Sequence, residues 1–182
     1  MPTASNAALP TETWSEVRAH DHVTRYRRAG SGRAVVVLDA DGADPLWPEL
    51  AGGIAERFRL IVPEVPPADV DQALWLAEFL EGLGTSTVAL VATGRLCVPA
   101  LELTLRDPDQ VARLVLVPGG AAVDATIGAT IGGALAAPAS RSVPLLVARR
   151  GLPADEALPL IARFLADAST AAGATSEVAT VG

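Results

Sequence analysis

Several things are scarce in this sequence, and each scarcity closes a route. A single cysteine, Cys97, excludes an internal disulfide and a cysteine zinc site, and two histidines leave little for any metal. Metal and cofactor are both expected to be absent. Positive charge is short as well. Lys and Arg number 14 against 21 Asp and Glu, a net charge of −7, where a nucleic-acid binder wants a basic face. No apolar run reaches membrane-spanning length without Gly, Pro or charge, so no membrane segment is expected. Met1–Trp14 has no basic region followed by an apolar stretch, so no signal peptide is read there, and a cytoplasmic protein is the expectation. With 50% of residues apolar and 19% charged, disorder is equally unpromising. What remains is 182 residues, one domain's worth of chain with enough apolar material for a real core. Its Ala, Gly and Pro richness hints at a high-GC bacterial source.

The pattern along the chain is of strands alternating with helices. Residues 1–13 read as a flexible arm. Glu16–His20 and His22–Arg28 alternate roughly, as an antiparallel edge hairpin would. Ala34–Leu38 is a continuous apolar run, the mark of a central strand buried on both faces, and it ends at Asp39-Ala40-Asp41-Gly42. Asp44-Pro45 starts a helix to about Arg57, with Asp as N-cap and Pro at the first helical position. Arg59–Pro63 is the next strand. Asp69 or Asp71 caps a helix whose apolar positions keep helical spacing to Gly82–Gly84. Thr87–Ala92 is a strand that feeds, through a turn at Gly94, a helix ended by Asp107-Pro108. Val111–Val117 and Val143–Ala148 are further strands, and Ala154–Ala168 is a final amphipathic helix. Between them, residues 121–142 read as a low-complexity connection rich in Ala and Gly. The tail 169–182 is small and polar, with Glu177–Val181 as a candidate short edge strand. Short loops between alternating strands and helices mean parallel crossovers, hence an α/β fold.

Several segments carry a family likeness. They include Tyr26–Gly32, Trp47 with Leu50-Ala51, Arg59–Glu64, Leu74–Leu80, Val88–Val91, Ala100–Leu103 and Val111–Val117. In order and spacing the chain resembles the α/β-hydrolases over most of residues 22 to 168. The resemblance implies a mostly parallel sheet with helices on both faces, a reduced lid at 121–142 and a shortened C-terminal end. It also implies a nucleophile elbow, G-x-S-x-G. Aligned through the Ala100–Leu103 helix, those positions hold Ala92, Thr93, Gly94, Arg95 and Leu96. Glycine stands where the nucleophile should be, and Leu96 where a small residue should let helix and strand approach closely. The other triad members are missing from the pattern too. Ala148–Gly151 offers no acid, and no histidine follows His22. Asp39-Ala40 occupies the oxyanion-hole loop, where a carboxylate would oppose a developing oxyanion. The likeness therefore implies the fold without Ser-His-Asp hydrolysis.

The charged residues expected around the old site set the remaining expectations. Asp39, Asp41 and Glu64 should stand at the carboxyl ends of strands, where this architecture keeps its pocket. Carboxylates in a partly apolar cleft can act as general acid and base. Equally, Asp41 can form a turn with Gly42, and Asp39 can pair with Arg95. Arg95 can bind a carboxylate or enolate, or simply neutralise Asp39. Thr93, Gly94, Glu64 and Trp47 are the candidate substrate contacts. Cys97 reads as a substitute nucleophile or a buried thiol; His20 and His22 as surface residues; Arg149-Arg150 as an anion contact or a solvated pair. Two functions follow. In one, a small, largely apolar metabolite binds the pocket and undergoes a cyclase, dehydratase, isomerase or lyase step. In the other, a non-catalytic pseudoenzyme serves ligand binding, transport or assembly with a partner, with Gly128 and Gly132 spaced for a homodimer contact.

Overall fold

The computed structural model describes residues 13–19, 22–39, 53–135, 143–148 and 154–167. Residues 1–12 of the expected arm, the expected tail 169–182 with its candidate strand, and most of the predicted 44–57 helix lie outside them. Thr13, read as the last residue of that arm, already belongs to the first strand. Strands β1 (Thr13–Ala19) and β2 (His22–Ala29) form the predicted hairpin, pairing antiparallel with Trp14 opposite Arg27 and Val17 opposite Thr24. There follow β3 (Arg33–Leu38), β4 (Phe58–Pro63), α1 (Gln72–Gly82), β5 (Val88–Thr93), α2 (Cys97–Arg106), β6 (Val111–Val117), α3 (Ala121–Leu135), β7 (Leu145–Val147) and α4 (Ala154–Ala166). Among the described residues the strands make one seven-stranded sheet in the order β1-β2-β4-β3-β5-β6-β7. From β4 through β7 every pairing is parallel, and β2 joins β4 antiparallel.

The alternation of a strand's side chains divides the core into two layers. Val36, Leu38, Leu90, Ala92, Leu114 and Leu116 point to the side covered by α1, α2 and Ile127 of α3. Val35, Val37, Leu60, Val62, Val91 and Val115 point to the side covered by Ile54 and by Ala157, Ile161 and Leu165 of α4. Covered on both faces and flanked on both edges, β3 is apolar throughout Ala34–Leu38, as its unbroken run predicts. Of the two candidate caps for α1, Asp71 is the one used. Its Oδ1 accepts from the Ala73 and Leu74 amides at 3.1 and 3.0 Å, satisfying two of the first-turn donors.

The largest departure from the sequence reading is the 121–142 connection, whose first fifteen residues form helix α3. Val123, Ile127 and Ile131 recur every fourth residue, which lays one apolar stripe on the core. Thr126 and Thr130 turn their hydroxyls back onto the carbonyls of Ala122 and Thr126 at 3.0 and 2.9 Å, so they do not interrupt the helix. Gly128 and Gly132 lie on its exposed side, and a Cβ at either would meet nothing within 4 Å. No helix among the described residues is long and apolar enough to cross a membrane.

Candidate functional site

The parallel strands β3, β4, β5 and β6 all end at one edge of the sheet, at Leu38, Pro63, Thr93 and Val117. The chain leaves β5 in a sharp turn. Thr93 is extended (φ −115°, ψ 153°), Gly94 swings to φ +55°, and a 3-10 turn over Gly94–Leu96 hands over to α2. Positive φ is where a residue with a Cβ is strained and glycine is not. The turn thus keeps its shape with no side chain at its apex.

Around the apex the contacts are tight. The Thr93 hydroxyl donates to the Leu38 carbonyl at 3.3 Å, tying the ends of β5 and β3 together in the buried interior. On the other side, Gly119 comes so close that a Cβ there would stand 3.0 Å from the Gly94 Cα. In the sequence, Pro118-Gly119-Gly120 marks only the end of the Val111–Val117 strand. The signal that it does more was the glycine pair beside a second glycine turn, legible only once β6 is known to neighbour β5. Leu96, at a position where a small residue was expected, is 1% exposed and belongs to the core.

The candidate residues meet this edge unequally. Asp39 follows β3 directly and is half-buried beside the end of β5, next to the elbow. Arg95 is on the turn itself and exposed. Glu64 lies at the end of β4, one strand further from the elbow than Asp39. Its amide donates to the Arg25 carbonyl at 2.8 Å and its Oε1 lies 3.8 Å from Arg25 Nη1, so it leans toward the edge hairpin. Asp41 and Trp47 lie outside the described residues, as do Arg149, Arg150 and His20. A cleft of about 620 Å³ opens at the opposite edge of the sheet, lined by Ile54, Arg57, Phe58, Arg163 and Asp167 among others. Near it, buried Arg113 of β6 donates to the Asp167 carbonyl and lies 5.3 Å from the Phe164 ring; burial lowers its pKa.

Cys97 resolves as a buried thiol. Fully enclosed, it donates to the Ala92 carbonyl at 3.2 Å. Burial pushes its pKa from 9.0 up to about 12, only partly offset by a backbone hydrogen bond from Val117. A thiol raised that far is a poor nucleophile at neutral pH. Because the folded pKa is above the unfolded one, the stability from burying the neutral thiol is complete below pH 9 and is lost as pH rises toward 12. The native protein should therefore resist a thiol reagent at pH 8 and label fully once denatured. Its unfolding midpoint should fall above pH 9 more steeply than that of Cys97→Ala; equal slopes would show that the thiol does not govern the decline.

No protein-family model matches this sequence, and no curated protein matches it. Solved structures do. A bacterial membrane phospholipase A described as a virulence factor is 21% identical with a TM-score of 0.54, the alignment covering 63% of this chain and 42% of that one. An epoxide hydrolase is 21% identical with a TM-score of 0.52, over 59% and 42% of the two chains. A haloalkane dehalogenase loop variant from Bradyrhizobium elkanii is 21% identical with a TM-score of 0.51, over 59% and 40%. This chain thus spans about two fifths of the length of the solved structures it matches. A mostly parallel sheet in this order, an elbow after β5 and these neighbours together give the chain an α/β-hydrolase fold.

Proposed function

We propose that this chain is a non-hydrolytic protein of the α/β-hydrolase fold, which holds a small, largely apolar metabolite at the carboxyl edge of its sheet. One observation carries the reading. The turn that would present a nucleophile is occupied by Gly94 at φ +55°, with nothing to attack a carbonyl. The neighbouring hydroxyl does not replace it, since Thr93 is buried and spent on Leu38. Nor does Cys97, whose thiol is neutral and enclosed.

Within this reading, Asp39 and Asp41 supply acid and base for a cyclase, dehydratase, isomerase or lyase step. Arg95 holds an anionic or enolate oxygen, Thr93 and Gly94 form the floor at the turn, and Trp47 is a further candidate substrate contact. Glu64, drawn toward Arg25, contributes charge at the rim. The test has two arms. Short-chain p-nitrophenyl esters should hydrolyse no faster with the protein than in buffer. A panel of small apolar ligands, read by thermal shift, should yield binders whose shift is lost in Asp39→Asn or Arg95→Ala. Ester turnover by the purified chain overturns the first claim, and unchanged shifts in both variants remove these residues from the site.

A second reading, a non-catalytic scaffold used through a protein partner or a homodimer, draws on one specific feature. Trp14 is 53% exposed on the outermost strand of the hairpin.

A further inference from the structure

The β1–β2 hairpin differs from the rest of the chain in charge and in cover. Its strands carry Arg18, Arg25, Arg27 and Arg28 against Glu16 alone, in a chain whose net charge is −7. One face is docked: Val17 packs on the core, Gly82 of α1 sits so close that a Cβ there would touch Val17, and Thr24 bonds α1. The opposite face presents Trp14, Glu16 and Arg18 of β1 beside Val23, Arg25 and Arg27 of β2. Trp14 is 53% and Val23 49% exposed. The Arg25 and Arg27 guanidinium carbons lie 4.9 and 5.9 Å from the Trp14 ring centroid, and Arg25 Nε lies 3.5 Å from Glu16. These contacts pin an exposed indole in place. Among the described residues β1 has no neighbouring strand at its outer side, and none of them pairs with its outward row of backbone donors and acceptors.

We propose that this edge is a docking site for an extended, acidic peptide segment of a partner protein, which adds to the sheet as a further strand beside β1. The open ladder supplies main-chain hydrogen bonds, and side chains at every second position supply selectivity. Trp14 and Arg18 lie four residues apart on one face, so the incoming strand places an apolar side chain against the indole and a carboxylate against Arg18. Charge chooses between occupants. A second copy pairing its own β1 here would bring one arginine-rich hairpin against another, whereas an acidic strand is complementary. A nucleic acid would leave the backbone ladder unmatched, whereas a strand completes it. The proposal gives the scaffold reading its partner, and it stands whether or not the elbow holds a ligand.

The test uses the full chain and a fluorescein-labelled peptide of seven residues, the length of β1, alternating threonine with valine and aspartate. Saturable binding by anisotropy is expected, weakened about tenfold in Arg18→Glu and in Trp14→Ala. Both residues are exposed, so each variant should melt like the parent. A peptide with alternate backbone amides N-methylated should not bind, because its strand cannot complete the ladder. The proposal is overturned if the methylated peptide binds as tightly as the parent, if the unmodified peptide fails to bind, or if a single-stranded oligonucleotide displaces it stoichiometrically. It is equally overturned if sedimentation finds a dimer that Trp14→Ala dissociates, since a second copy would then hold the edge.

Discussion

Replacing Gly30 by alanine is expected to destabilise the protein by roughly 3 kcal/mol or more, from two costs that add. The first is conformational. Gly30 has φ +75°, and forcing a residue with a Cβ into that region costs about 1–2 kcal/mol. The second is steric. A Cβ at residue 30 would lie 2.3 Å from the Ala55 carbonyl oxygen and 2.4 Å from that of Phe58. Both are backbone atoms that cannot swing aside, and overpacking of this kind typically costs about 1–3 kcal/mol. The topology explains the crowding. β2 and β3 are consecutive in the chain but β4 lies between them in the sheet, so the connecting turn must pass over the start of β4 at Phe58. Gly84 separates the two costs, since its φ is +63° and a Cβ there would meet nothing within 4 Å. Urea unfolding should show Gly84→Ala losing about 1–2 kcal/mol, the conformational part alone. Equal losses in the two variants would mean that the clash at Gly30 relaxes freely.

That crossing was not legible in the sequence, although the residues involved were. Ala29-Gly30-Ser31-Gly32 reads as a turn from composition, but nothing local says that another strand runs beneath it. The same division holds elsewhere. The unbroken Ala34–Leu38 run announced a strand covered on both faces, and it is covered on both faces. Residues 121–135 failed as a sequence reading because small residues hide amphipathicity. Val123, Ile127 and Ile131 keep perfect helical spacing, but the Ala and Gly between them blur the contrast with the exposed face. Around the elbow, Gly94 was found by aligning a helix, whereas Gly119 became visible only through the β5–β6 register. Glu64 shows the limit of reading carboxylates from strand ends. Its place at the edge was predictable, but its lean toward Arg25 depends on β2 joining the sheet next to β4. Sequence position tells which edge a residue reaches, while strand order tells whom it meets there.

Trp75→Ala is expected to be at least as damaging as Gly30→Ala, with a loss of about 3–5 kcal/mol. Trp75 is 3% exposed on α1, stacked on Phe79 with ring centroids 5.9 Å apart, and Phe79 in turn meets Tyr26 of β2 edge-on at 5.9 Å. Its indole Nε1 donates to the Thr24 hydroxyl of β2 at 3.0 Å, a buried bond across the helix–sheet boundary. Truncation to alanine therefore opens a cavity and strands the hydroxyl of Thr24, a residue only 7% exposed. The two effects can be parted. Trp75→Phe keeps a ring in place and strands Thr24, while Thr24→Val keeps the shape and strands the indole N–H; each orphaned group costs about 1–3 kcal/mol. The double variant removes both partners, so it should lose less than the sum of the two single losses by about 1 kcal/mol or more. Strict additivity would show that the hydrogen bond contributes nothing beyond packing. The cycle also bears on the docking edge, because this bond fastens β2, and through it β1, to the body of the protein. If Trp14 is presented by a rigid hairpin, Thr24→Val should weaken peptide binding while leaving every residue of the docking face in place.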